Sequence, residues 1–129
     1  MSITTQRSEW LRGVLGLCVL RTMADGPTYG YAIAAELAGV GLGDIKGGTL
    51  YPLLARLENN DLVTVEWKTG DGGPGRKYFA LTEAGRAELE RGIAQWQAFS
   101  ATVTDHLSTG TTGDELPSPR PPHSSRRKP

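Results

Sequence analysis

Cysteine and histidine are scarce in the chain. Cys18 is the one cysteine among 129 residues, so no disulfide can form within the chain. The two histidines, His106 and His123, are isolated in sequence. Because a metal site needs several clustered ligands, we expect neither a metal site nor another cofactor. Cys18 lies in the apolar run of residues 14–20 without a basic neighbour, which favours a buried structural thiol over a redox sensor.

Long hydrophobic runs and catalytic constellations are also missing. No apolar stretch approaches the roughly 20 residues that a membrane-spanning helix needs, and the N-terminal residues lack the apolar core of a signal peptide. No serine–histidine–aspartate, cysteine–histidine or paired-carboxylate arrangement is apparent. We therefore expect a cytoplasmic protein that is not an enzyme.

An excess of positive charge is the third absence. The chain holds 14 basic and 14 acidic residues, unlike the strongly basic balance of many nucleic-acid-binding domains. A balanced total still permits a local basic face, because charges are screened over about 8–10 Å. Residues 108–129 are rich in Ser, Thr, Gly and Pro, and we expect a disordered tail there. Its basic end, residues 126–128, either adds non-specific DNA affinity or simply aids solubility.

Hydrophobic periodicity and turn residues predict four helices and one β-hairpin, a mainly α fold. The expected helices cover residues 9–24, 29–38, 50–59 and 83–107, with Ser8, Thr28, Thr49 and Thr82 as N-caps, and the strands cover 63–68 and 76–81. Residues 44–46 are expected to form a short strand. Pro52 is expected in the first turn of the third helix, where its missing N–H costs little. Asn59 and Asn60 are expected to close that helix in the left-handed conformation.

Three helices followed by a hairpin is the order of a winged helix-turn-helix. The third helix carries Leu50, Leu53, Leu54 and Leu57 on one face and polar or aromatic residues on the other. Such a helix is about 10–12 Å across and fits the roughly 12 Å major groove of DNA. We expect a DNA-binding domain over residues 1–81, a C-terminal dimerisation helix over 82–107 and the tail over 108–129.

The first and last helices predict a homodimer. The first helix is apolar around nearly its whole circumference, so it needs burial on more than one side. The last helix places apolar residues at alternating spacings of four and three, which is typical of a helix seam. The predicted dimer interface consists of Leu11, Leu15, Leu89, Ile93, Trp96, Val103 and Leu107.

Three segments, residues 28–33 (TYGYAI), 48–58 (GTLYPLLARLE) and 73–85 (GPGRKYFALTEAG), resemble signatures of the PadR family of transcriptional regulators. Their order and spacing match that family across roughly residues 9–107. The resemblance implies a homodimer whose C-terminal helix packs on the partner's terminal helices. It also implies repression through an inverted repeat in DNA, relieved by a small molecule.

The candidate DNA contacts lie on and just before the third helix, on the hairpin and at the start of the second helix. The resemblance implies DNA contacts at Tyr29, Thr49, Tyr51, Arg56, Arg76 and Lys77, and Lys46 and Lys68 can enlarge the basic face. Residues 46–77 hold five basic and four acidic residues, a small positive excess that predicts modest affinity per domain. Tyr51 can instead be an exposed aromatic residue at the edge of the core. Arg76 and Lys77 can instead be an ordinary solvated strand start.

The tryptophans leave further alternatives open. Trp67 alternates with valines along its strand, which favours packing within the hairpin over base stacking. Trp96 either fills the dimer seam or, together with Trp10 and Phe99, binds a flat hydrophobic effector. The leading hypothesis is a DNA-binding repressor, and the alternative is a winged-helix adaptor that binds protein but not DNA.

Overall fold

The computed structural model describes residues 3–69 and 75–109 and confirms a mainly helical fold with a small antiparallel sheet. The elements in chain order are α1 (Ile3–Thr22), β1 (Thr28–Tyr29), α2 (Gly30–Gly39), α3 (Gly47–Asn59), β2 (Val63–Thr69), β3 (Gly75–Leu81) and α4 (Glu83–Thr109). The strands form a sheet in the order β1-β3-β2. Among the described residues, no helix is long and apolar enough to cross a membrane.

Helix α1 begins at Ile3, so the predicted start at residue 9 was wrong. Ser8 lies within the helix and cannot be its N-cap. The guanidinium of Arg7 donates to the carbonyl oxygen of Gly41 at 2.8 Å. This contact ties the extra helical residues to the loop after α2, a partner that local sequence does not reveal.

The two-residue strand β1 is the main element that the sequence pattern missed. Thr28 lies opposite Phe79 and Tyr29 lies opposite Tyr78 on β3. Thr28 is therefore a strand residue, not the predicted cap of α2. Tyr29 takes the N-cap position, and its side chain makes no capping hydrogen bond to a described residue.

Helix α3 begins earlier than predicted, and residues 44–46 form no strand. The carbonyl oxygen of Lys46 accepts from the backbone N–H groups of Thr49 and Leu50, both at 2.9 Å. Thr49 therefore lies in the first turn and is not the cap. Pro52 lies beyond the first turn, where a helical N–H would otherwise bond to the carbonyl of Gly48.

Helix α3 closes through Asp61, which has a φ of 62°, so the assignment of this role to Asn59 or Asn60 was wrong. The N–H of Leu62 donates to the Leu57 carbonyl at 3.0 Å, which completes a Schellman-type ending. The hydroxyl of Thr82 then donates to the Asp61 carbonyl at 2.7 Å. The Thr82 hydroxyl oxygen also accepts from the backbone N–H of Gly85 at 2.8 Å, which confirms Thr82 as the cap of α4.

The hydrophobic core joins all four helices and the two longer strands. Its buried members are Leu15, Val19, Leu20, Met23, Ile33, Leu37, Leu50, Leu53, Leu54, Leu57, Val63, Phe79 and Leu89. The predicted leucine face of α3 is thus confirmed. Because these leucines are buried, the opposite face of α3 is exposed to solvent.

The described residues up to Trp96 form one compact unit, and Gln97–Thr109, the second part of α4, belongs to another. The first unit contains the start of α4, where Gly85 and Leu89 are buried. Ser108 and Thr109 are helical, so α4 runs slightly past its predicted end. The rest of the predicted tail lies outside the described residues.

Candidate nucleic-acid interface

The solvent face of α3 presents the side chains predicted to meet DNA. Thr49, Tyr51 and Arg56 are all exposed, because the leucines of the helix occupy the core. Tyr51 is 53 % exposed, although it stands next to buried Leu50. The helix therefore exposes a hydroxyl, a phenol and a guanidinium to solvent outside its leucine face.

Tyr51 is held in place by a glycine on the neighbouring helix. A Cβ atom at Gly30 would lie 2.7 Å from the Tyr51 Cζ atom and 2.8 Å from Cε1, distances that no real side chain tolerates. The ring also borders Gly47, where a Cβ atom would lie 3.5 Å from Cδ2. Absence of a side chain at Gly30 lets the phenol lie directly on the start of α2.

An open cleft of about 260 Å³ separates this tyrosine from the hairpin. Its lining residues are Tyr29, Gly30, Tyr31, Tyr51, Arg76, Lys77 and Phe79. Four of the seven predicted DNA contacts, Tyr29, Tyr51, Arg76 and Lys77, are thus brought together. Lys46, Thr49 and Arg56 are exposed elsewhere on the surface and do not line the cleft.

Tyr31 is a cleft residue that the sequence reasoning missed. It is 76 % exposed at the start of α2. Its place in the TYGYAI segment, two residues after Tyr29, was the available signal.

The outer face of the sheet carries a row of aromatic rings and cations. Tyr29 and Tyr78 are cross-strand partners with ring centroids 5.4 Å apart. The Arg76 guanidinium carbon lies 4.4 Å from the Tyr29 ring centroid, and Lys68 Nζ lies 5.0 Å from that of Tyr78. Tyr78 was quoted in sequence only as part of a motif, and its contacts appear only once the strands pair.

Lys77 points to the opposite face of β3. Its Nζ atom lies 5.5 Å from the ring centroid of buried Phe79 and 3.9 Å from Oε1 of Glu58 on α3. Both charged side chains are 43 % exposed, so the pair contributes at most about 1 kcal/mol. Lys77 links the hairpin to α3 while remaining accessible to an anion.

Lys46 stands immediately before α3 and pairs with a nearby carboxylate. Its Nζ atom donates to Oδ2 of Asp44 at 2.8 Å. This hydrogen bond and the charge of Asp44 raise the pKa of Lys46, so its ammonium group stays protonated. The carboxylate also offsets the positive charge that Lys46 brings to this end of α3.

The hairpin tip contains Trp67, which is 67 % exposed. Val63 on the same strand face is buried, but the burial fades along β2 because the strand extends past the core. The Trp67 ring lies over Gly75, where a Cβ atom would be 3.6 Å from Cε3. This is a cross-strand packing contact within the hairpin, and residues 70–74 of the loop lie outside the described residues.

The predicted dimer residues divide by burial. Leu15 and Leu89 are buried in the protomer's own core, and Leu11 and Ile93 are packed partly against it. Their burial therefore arises within one chain. Trp96 is 44 % exposed.

The second unit and the predicted effector residues also expose apolar surface. Val103 is 38 % and Leu107 is 68 % exposed on the second part of α4. Trp10 is 69 % and Phe99 is 62 % exposed. No finding tests a dimer or an effector at these residues, so both stay predictions.

Cys18 is half-buried, and burial raises the pKa of its thiol. Such a thiol is a weak nucleophile, which fits the predicted structural role. Within residues 3–69 and 75–109, no cluster of three or more His, Cys, Asp or Glu side chains is placed to hold a metal ion.

Comparison with known proteins places this geometry in a family. Residues 19–91 match the family described as Transcriptional regulator PadR-like family. An uncharacterised protein of Lysinibacillus sphaericus is 32% identical over 92 residues, which cover 70% of this chain and 84% of that protein. A transcriptional regulator of Mycobacterium tuberculosis is 40% identical over 81 residues, covering 63% of this chain and 74% of that one.

Solved structures give the same result. The crystal structure of a PadR family transcriptional regulator from Eggerthella lenta matches with a TM-score of 0.75 and 36% sequence identity. The match covers 83% of this chain and 93% of that one. Members of the family are regulators and not enzymes, in agreement with the prediction from sequence. The fold, the matched segment and these relatives together show that the chain belongs to the PadR-like family of transcriptional regulators.

Proposed function

We propose that this transcriptional regulator is a repressor that binds DNA as a homodimer on an inverted repeat. The observation that carries the proposal is the cleft where Tyr51 of α3 faces Arg76 and Lys77 of the hairpin. A helix with one accessible polar face beside a basic hairpin is suited to the major groove and the adjoining phosphates.

The start of α3 favours approach to the DNA backbone. Gly47 and Gly48 are exposed and carry no side chains, so a phosphate can come close to the positive end of the helix. Thr49 adds a hydroxyl donor in the first turn of α3, and the Tyr51 hydroxyl lies over Gly30 at the start of α2. Arg56 lies farther along the same helix and forms no ion pair with any described residue.

The modest charge of this surface is the reason for proposing a dimer. The small excess of basic residues over 46–77 supplies limited affinity to one domain, and two half-sites double the number of phosphate contacts. We assign DNA binding to residues 1–81 and dimerisation to α1 together with residues 82–107, which contain most of α4. Val103 and Leu107 are exposed apolar side chains in the second unit, and both would gain from burial against a partner.

The proposed repressor is released from DNA by a small molecule. A flat hydrophobic effector would contact Trp10, Trp96 or Phe99, all large and exposed aromatic residues. Titration of candidate aromatic compounds against tryptophan fluorescence tests this role. Quenching that persists undiminished in the double variant Trp10→Phe/Trp96→Phe, which keeps only Trp67, would argue against both tryptophan positions.

The experiment for DNA binding is a titration of the protein against the DNA upstream of its own gene, at two salt concentrations, beside random DNA. A repressor binds the upstream DNA selectively, and its affinity falls steeply with salt because bound cations are released from the phosphates. Equal and weak binding to both DNAs at low salt would contradict the proposal for this site.

The contact residues are tested with matched variants. Tyr51→Ala and Arg76→Gln should each weaken DNA binding while the dimer stays intact. Arg91→Gln is the control, because this exposed arginine lies on α4 and pairs with Glu88. If Tyr51→Ala and Arg76→Gln bind DNA as tightly as the control variant, the assignment of Tyr51 and Arg76 as DNA contacts is wrong.

The charge balance favours one alternative function, a winged-helix adaptor that binds another protein. Residues 1–107 hold 10 basic and 12 acidic residues, which is unusual for a domain held to DNA by phosphates. DNA binding that is absent at low salt would support the adaptor.

A further inference from the structure

The outer face of the sheet contains an ordered row of four side chains: Arg76, Tyr29, Tyr78 and Lys68. The row crosses all three strands, since Tyr29 pairs with Tyr78 and Lys68 pairs with Arg76 in the strand register. Each cation lies within about 5 Å of a ring centroid, a distance at which the negative face of the ring attracts positive charge.

The two cations are direct cross-strand neighbours, which is an unfavourable arrangement by itself. Neither Arg76 nor Lys68 forms an ion pair with any residue that the structure describes. Glu66 is the acidic residue on the same face, where it lies opposite Tyr78 in the register. The tyrosine rings are therefore the groups seen to stabilise this pair of positive charges.

Arg76 occupies a special position in the row because it also lines the cleft beside Tyr51. A guanidinium over a ring keeps its N–H groups free at the edge, so it can still bind a phosphate. The Tyr29 ring restricts the rotamers of the long arginine side chain and reduces the entropy lost on binding. Lys77, the next residue, faces the other side of the strand and forms an ion pair with Glu58.

We propose that Tyr29 is a positioning residue, which holds the guanidinium of Arg76 over its ring and presents it to a backbone phosphate of DNA. This inference rests on the proposed DNA-binding function and refines it. It differs from the direct DNA contact that the family resemblance implies for Tyr29. In this role the phenol ring is essential and its hydroxyl group is dispensable.

The first test examines the stack without DNA. The NMR signals of the Arg76 side chain should show ring-current shifts in the unmodified protein and in Tyr29→Phe, and should lose them in Tyr29→Leu. Retained shifts in Tyr29→Leu would show that the guanidinium does not lie over this ring.

The second test is a double-mutant cycle in DNA affinity at low salt. Tyr29→Leu should weaken binding about two- to five-fold, the size expected for an exposed cation–ring contact, and Tyr29→Phe should bind like the unmodified protein. In an Arg76→Gln background, Tyr29→Leu should have no further effect. Tyr31→Leu serves as the control, since Tyr31 lines the same cleft and its effect should persist in that background.

The outcomes separate the two proposals. Absence of salt-sensitive DNA binding by the unmodified protein would overturn the proposed function and the phosphate role of Arg76 together. Normal DNA binding combined with additive effects in the cycle would overturn the positioning role of Tyr29 alone. An equal loss in Tyr29→Phe and Tyr29→Leu would assign the effect to the hydroxyl group, against the proposal.

Discussion

The ring of Tyr51 on α3 lies directly against the backbone of Gly30 at the start of α2. Gly30 is buried beneath the phenol, while Tyr51 remains 53 % exposed toward the cleft. One helix thereby sets the position of a side chain on the next. The glycine is needed because of this close approach, since any Cβ atom there would overlap the ring.

The variant Gly30→Ala should displace Tyr51 and weaken DNA binding several-fold, with a loss of unfolding free energy of about 1 kcal/mol. The loss is small because the overlapping group is the end of an exposed side chain that can rotate away. DNA titration and chemical denaturation measure the two effects. Gly39→Ala in the same helix is the control, because a Cβ atom there meets no atom within 4 Å. Equal DNA affinities for the two variants would contradict the proposed role of the Tyr51 position.

Gly85→Ala should destabilise the fold by about 1–3 kcal/mol. Its Cβ atom would overlap the carbonyl oxygen of Leu62 and lie 3.0 Å from the carbonyl carbon, and backbone cannot rotate away as a side chain can. Gly92→Ala is the comparison, because its Cβ atom would meet the mobile end of Leu17. The higher helix propensity of alanine offsets much of that strain. Denaturation midpoints should therefore fall clearly for Gly85→Ala and little for Gly92→Ala.

Thr82→Ala should lower the unfolding free energy by about 1 kcal/mol through loss of the N-cap of α4. The hydroxyl of Thr82 also bonds to the Asp61 carbonyl, so the variant loses the tie between the two helix ends. Urea denaturation gives the change. Thr102→Ala is the matched control, since that exposed threonine bonds only along its own helix in the described contacts. A stability loss as large in Thr102→Ala would disprove the capping contribution.

Leu107→Arg should shift the oligomer toward monomer if the exposed apolar residues of α4 form the proposed dimer interface. Leu107 is 68 % exposed, so burying a charge against a partner is costly while the protomer fold is unaffected. Sedimentation velocity over a range of protein concentrations reports the change. Asp105→Arg, on another face of the same helix, should leave the dimer intact. An unchanged dimer in Leu107→Arg would place the interface elsewhere.

Local pattern was sufficient for several parts of the fold. The leucines of α3 are spaced at helical intervals, and all four are buried as predicted. Thr82 caps α4 because a threonine hydroxyl can reach an N–H three residues later in the chain. Strands β2 and β3 were located to within about one residue, because a glycine-rich loop separates two runs of strand-forming residues.

Helix starts and short strands were harder to predict. The first turn of α3 contains two glycines, which have poor helix propensity, so the sequence favoured a later start. Strand β1 has only two residues, and it forms because its backbone pairs with β3, which lies far along the chain. The early start of α3 and strand β1 both arise from tertiary contacts. Neither has a local sequence signal strong enough to predict it.

The sequence by itself determined the order of the four helices and the hairpin, the family and the set of residues on the solvent face of α3, because these follow from periodicity and from short motifs. The tertiary structure decided which of those residues meet. Tyr29, Tyr51 and Arg76 are separated by more than twenty residues along the chain and share one cleft because β1 pairs with β3 and Gly30 admits the Tyr51 ring. Non-local strand pairing and close packing set such distances, and neither can be calculated from the spacing of residues in one chain.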